Sequence, residues 1–159
     1  MFRWFGWLLK GGLVAAVAVQ AVPYGWQKSN PPVRADAPWP SPESERIARS
    51  SCYACHSNET DWPAYSYVAP MSWLVRSDVE RGRDALNFSE WDGDADDAVD
   101  VVEDGDMPPR RYTIIHRGAR LTAEERRRLI AALELMDESG GGDGGGRGRG
   151  RNRGRGGDN

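Results

Sequence analysis

Ser51-Cys52-Tyr53-Ala54-Cys55-His56-Ser57 holds the only two cysteines of the 159-residue chain and one of its two histidines. Two thiols three residues apart lie on one side of a helical turn, and the next residue projects an imidazole to the same face. Four chemistries use such a set. A thioredoxin-like dithiol needs a preceding strand and a parallel sheet, for which the sequence has no pattern. A zinc site would have to recruit His116, sixty residues away. A disulfide would leave His56 unexplained. Attachment of a c-type haem uses all three residues: Cys52 and Cys55 reach the two vinyl groups of one porphyrin edge, and His56 binds the iron.

A second iron ligand is expected downstream. Met107-Pro108-Pro109 is stiffened by two residues of fixed φ, and such a segment can hold a thioether against a metal in a dry pocket. His116 is the rival ligand, and an open sixth position is the third case. Arg110 and Arg111 are candidates for pairing with haem propionates. Trp62, Tyr65, Trp73, Phe88 and Trp91 read equally as haem walls or ordinary core, with Trp73 and Tyr65 the first choices.

Around this motif the pattern is helical. Ser41-Pro42-Glu43 combines an N-cap, a proline at the first helical position and an early carboxylate, opening a helix that carries Ile47 towards Cys52. A second helix is expected from Pro70 through Trp73 and Val79 to Gly82, and a short acidic third over Ala95–Glu103, ending at Asp104-Gly105. A fourth starts from the capping box Thr122–Glu125, with Leu129, Ile130, Leu133 and Met136 as its stripe. No segment alternates as a strand does. The expected fold is all-α, about four helices with long loops around one covalent haem.

The organisation expected is an N-terminal membrane anchor or signal segment (1–22), a proline-rich linker (23–41), the haem domain (42–138) and a disordered Gly/Arg-rich tail (139–159). Basic Arg3 and Lys10 precede the apolar run Leu13–Val22, an arrangement that favours a single span with the remainder on the outer, periplasmic side of the cytoplasmic membrane, or an exported form if the segment is cleaved. Between Arg34 and Glu138 stand 13 Lys/Arg and 22 Asp/Glu, a balance of −9, whereas the tail is +3. An acidic domain argues against nucleic acid as partner and suits a redox partner protein. Asp92, Asp94, Asp96, Asp100 and Glu103 fall at calcium-loop positions, but Asp97 occupies the position that wants glycine, so an acidic helix is the preferred reading.

With the motifs extended, the resemblance becomes specific. Cys52 through Thr60, Trp62-Pro63, Tyr65-Ser66, Ala69-Pro70, Ser72-Trp73, Asp78-Val79, Gly82-Arg83, Leu86 through Trp91, Gly105, Met107-Pro108-Pro109, Tyr112, His116 and Leu121, with the earlier Asn30-Pro31-Pro32-Val33, closely resemble the bacterial haem-binding domain family. The resemblance covers about residues 13–137. It implies an N-terminal membrane segment, one covalent haem and the methionine of Met-Pro-Pro as distal ligand, which fall here on Cys52, Cys55, His56 and Met107. Ala64 departs from the aromatic that follows Trp-Pro in members, and the tail lies outside the pattern. A six-coordinate haem exchanges electrons rather than substrate, so the expected role is one-electron transfer without enzymatic turnover. A haem-based redox or gas sensor and a small haem peroxidase are the alternatives.

Overall fold

The computed structural model describes residues 2–140 and is all-α over them. Its helices are α1 (Phe2–Gln20), α2 (Pro42–Ser51), α3 (Tyr53–His56), α4 (Met71–Ala85), α5 (Asp96–Glu103), α6 (Arg110–Ile115) and α7 (Ala123–Gly140). Two 3₁₀ turns, Ala64–Tyr67 and Arg117–Ala119, complete the order. The only extended pairing among the described residues is a parallel bridge between Ala35 and Glu90. The Gly/Arg-rich tail expected over 139–159 lies almost entirely outside the described residues.

The end signals work as their chemistry demands. Ser41 Oγ accepts the Ser44 N–H at 3.1 Å, with Pro42 at the first helical position of α2. Thr122 and Glu125 exchange backbone-to-side-chain bonds of 2.9 and 3.2 Å at the start of α7, a closed capping box. α5 stops where Gly105 takes φ +81°, a left-handed turn that suits glycine. Asp92 and Asp94 accept the N–H groups of Asp94 and Asp96 in the turn leading into α5. The second of these bonds reaches the first residue of α5.

α7 packs against α2 and α5, burying Leu129, Ala132, Leu133 and Met136 along one stripe. They meet Ile47 and Ala48 of α2, Tyr53 of α3 and Val102 of α5. Phe88, only 2 % exposed, is the aromatic centre of this core. It stacks on Tyr53 at 5.3 Å and on Trp91 at 6.2 Å, with Trp39 tilted against it at 5.1 Å. The proline-rich stretch 23–41 is extended, and its second half is docked. Ala37 is buried in the core, Trp39 Nε1 donates to Tyr53 Oη at 2.9 Å, and the N–H groups of Arg34, Ala35 and Ala37 all bond to carbonyls of residues 88–89.

The N-terminal expectation needs correction. α1 has 19 residues, about 28 Å at the usual rise, but no helix among the described residues is long and apolar enough to cross a membrane. Arg3, Lys10 and the glycines at 6, 11 and 12 dilute it, leaving Leu13–Val19 as its uninterrupted apolar part. The single membrane span is therefore not supported. The outer-side placement of the haem domain that was inferred from it loses its basis. α1 ends instead in a polar clamp: the Gln20 side chain donates to Ala69 O at 3.1 Å and accepts the Ala69 N–H at 3.0 Å.

Replacing Phe88 with Ala removes the ring on which Tyr53, Trp39, Trp91 and the His56 imidazole pack. The expected cost is about 3–5 kcal/mol, read as a lower urea midpoint by far-UV circular dichroism. A loss below about 1 kcal/mol would show that the cluster closes without it.

Candidate haem site

The Cys52–His56 segment is built by a break between two helices. α2 ends at Cys52, whose N–H still bonds to Ala48 O, and α3 restarts with the Cys55 and His56 N–H groups bonded to Cys52 O at 3.1 and 3.0 Å. Cys52, Cys55 and His56 thus occupy one turn, each partly buried, and neither cysteine is in a disulfide. Burial pushes both thiols up to about 11, so at neutral pH they are protonated rather than anionic.

Two features of α4 fix this turn. At Gly82 the helices touch through backbone: a Cβ at residue 82 would lie 2.6 Å from Cys55 O and 3.0 Å from Cys55 Cβ. Just beyond, the Leu86 carbonyl lies 3.1 Å from His56 Nδ1. A carbonyl only accepts, so Nδ1 carries the proton and Nε2 keeps a free lone pair. Burial also lowers the imidazole pKa, opposed by the backbone bonds to Leu86 and Gly82, and so favours the neutral ring that binds metals. Phe88 N–H donates to His56 O at 2.9 Å, closing the segment onto the aromatic core.

Arg83, next to Gly82, ties the loop after His56 to the docked N-terminal stretch. Its guanidinium donates to Ser57 O, Ser29 O, Asn30 Oδ1 and Thr60 Oγ1 at 2.8 to 3.1 Å. Asn58 donates to Pro32 O and Glu90, and Asn87 donates to Asn58 Oδ1. The quoted Asn30-Pro31-Pro32-Val33 and Asn87–Glu90 stretches therefore meet around one polar hub.

Met107 follows the turn at the end of α5. The Asp106 and Met107 N–H groups both bond to Val101 O. Arg126 of α7 donates to Val102 O at 2.7 Å, and a Cβ at Gly105 would meet that guanidinium at 2.9 Å. Met107 is partly buried and packs on the same core as Cys52, Leu86 and Trp91. His116 is engaged elsewhere. Its Nε2 shares a 2.6 Å hydrogen bond with Tyr65 Oη, and its ring stacks on Tyr112 at 4.4 Å. Arg111 forms an ion pair with Asp78 at 2.8 Å, whereas Arg110 lines a separate cleft.

The residues present fit a haem. The donor set is two uncrosslinked cysteines, an imidazole with its free nitrogen defined, and a thioether packed on the shared core. Ser66 Oγ and Trp73 Nε1 are in addition buried without a hydrogen-bond partner among the described residues. A buried unpaired donor costs about 1–3 kcal/mol, and the carboxylates of a haem are acceptors of the kind the indole N–H lacks.

A small all-α domain with this donor set defines a haem-binding protein. The haem-binding domain family model matches residues 14–134, about three quarters of the sequence, and the chain belongs to that family. No curated protein and no solved structure matches it.

The groups that hold the candidates Cys52, Cys55, His56 and Met107 in place, Leu86 O, the Arg83 hub and Arg126, carry no local signal in the sequence. Gly82 was legible only as a helix end, although a glycine inside a helical pattern also signals a close backbone approach. Gly82→Ala should displace α3 from α4. Expressed with haem-attachment machinery, the variant should carry clearly less covalent haem per chain than the parent by haem staining of denatured protein. Undiminished loading would show that the contact yields without consequence.

Proposed function

We propose that the chain is a c-type cytochrome that carries one electron at a time. Haem would be held by thioethers at Cys52 and Cys55, with His56 and Met107 as the residues that would bind its iron. The observation that carries this reading is the His56 Nδ1 contact with Leu86 O at 3.1 Å, which frees Nε2 on the same turn as two unpaired cysteines. Bound haem supplies an iron that changes oxidation state by one electron. The chain's part is to orient the imidazole, bury the ligands and keep water from them.

Met107 is favoured over His116 because His116 Nε2 is already bonded to Tyr65 and its ring is stacked on Tyr112. Using it as a ligand would break both interactions. Thioether ligation raises the reduction potential relative to two imidazoles. With His56 and Met107 both bound to it, the iron would offer no open site, and the protein would exchange electrons with a redox partner rather than turn over a substrate. Docking to that partner is electrostatic and weakens with salt.

The test starts from protein matured with the haem-attachment machinery. Pigment should survive acid–acetone extraction of the parent and be lost in Cys52→Ser/Cys55→Ser. Met107→His should lower the reduction potential, and Met107→Ala should open the iron to carbon monoxide. His116→Ala should leave the visible spectrum unchanged. Extractable haem in the parent would overturn covalent attachment, and rapid carbon monoxide binding by the parent would favour a sensor or peroxidase.

A further inference from the structure

The arginines of the domain are not used alike. Of the thirteen between residues 34 and 138, seven form ion pairs: Arg34, Arg46, Arg49, Arg76, Arg111, Arg127 and Arg128. Arg81 bonds to Ser77, and Arg83 and Arg126 are bonded to backbone carbonyls. Arg110, Arg117 and Arg120 remain with no side-chain partner among the described residues, and all three line one cleft of about 650 Å³. The segment 34–138 carries a balance of −9, so carboxylates to neutralise them are not scarce.

The cleft is formed by α6, the Arg117–Ala119 turn and the approach to α7. Arg110, Thr113 and Ile114 of α6 line it together with Arg117 of the following turn, and Arg120, Leu121 and Arg126 stand among the other lining residues. Gly105 and Pro108 complete it. None of the haem-site residues Cys52, Cys55, His56 or Met107 lines it. Its volume is that of small-molecule sites, and Ile114 and Leu121 add apolar surface between the charges. Guanidinium forks pair bidentately with carboxylate and phosphate oxygens. Three of them lining one cleft without a side-chain partner offer donors for more than one negative charge.

We propose that this cleft binds a small polyanion whose charges are phosphate or carboxylate groups. Arg110, Arg117 and Arg120 would contact the anionic groups, with Ile114 and Leu121 against the ligand's body. The proposal does not depend on the haem ligands.

The probes are inorganic pyrophosphate and citrate, each titrated calorimetrically into the full-length haem-loaded protein at low ionic strength. Saturable binding of one equivalent of either is expected. Arg117→Gln/Arg120→Gln should weaken it by about 10-fold or more, because two charge-assisted contacts are lost. Arg127→Gln/Arg128→Gln removes the same charge from ion-paired positions and should leave affinity within about 2-fold. The circular dichroism and visible spectrum of each variant should match the parent. Preference for one probe identifies phosphate or carboxylate as the recognised group. Absence of binding by both probes would overturn the proposal. So would equal losses in the two double variants, or undiminished binding by Arg117→Gln/Arg120→Gln, which would place the anions on other arginines. Binding confined to acidic polypeptides would likewise overturn it in favour of a protein-docking surface.

Discussion

The backbones of α3 and α4 touch at Gly82, and the rest of the site depends on that contact. With no side chain at residue 82, the Cys55 carbonyl can lie where a Cβ would otherwise intrude to 2.6 Å. One turn further along α4, the Leu86 carbonyl is then in reach of His56 Nδ1. A single close approach therefore determines both where the two cysteines stand and which imidazole nitrogen is left for a metal. Phe88 extends the same constraint into the core, since its N–H bonds to the His56 carbonyl and its ring joins Tyr53, Trp39 and Trp91.

The position of Met107 is set from the C-terminal helix. Arg126 occupies the last carbonyls of α5, Gly105 turns the chain, and Met107 is delivered onto the shared core. The Cys52–His56 turn and Met107 come from sequence segments about fifty residues apart. Packing of α7 on α2 and α5 holds them in register. The tyrosine–histidine cluster of Tyr65, Tyr112 and His116 is self-contained by comparison, closed by a hydrogen bond and a ring stack.

What the sequence reveals is what local chemistry specifies. Ser41-Pro42, Thr122–Glu125 and Asp104-Gly105 mark helix ends because caps act over three or four residues, and all three act as expected. Cys52-Tyr53-Ala54-Cys55-His56 is legible as a candidate site because its three donor side chains lie within one turn. α6 is not: Arg110–Ile115 has neither a cap signal nor a fully buried residue. The Leu86 carbonyl and the Arg83 hub are invisible for a different reason, since backbone acceptors and long-range hydrogen bonds leave no periodicity. α1 misleads in the opposite direction. Its composition and leading charges resemble a membrane segment, while its glycines and Lys10 keep it below the apolarity a span requires.

Docking of the proline-rich stretch has a mechanical consequence. Asn30 bonds to the Thr60 carbonyl, Ala35 to Ser89 and Trp91, and Trp39 to Tyr53, while Gln20 grips Ala69 at the foot of α4. The chain that leaves α1 is therefore a girdle fastened at several points around the helices that carry the cysteines. Tension applied at the N-terminal end is borne first by the Gln20–Ala69 fastening and then by the Arg83 hub, before it reaches the histidine. Prolines between the fastenings keep the girdle short and inextensible, so little slack is available to absorb a pull.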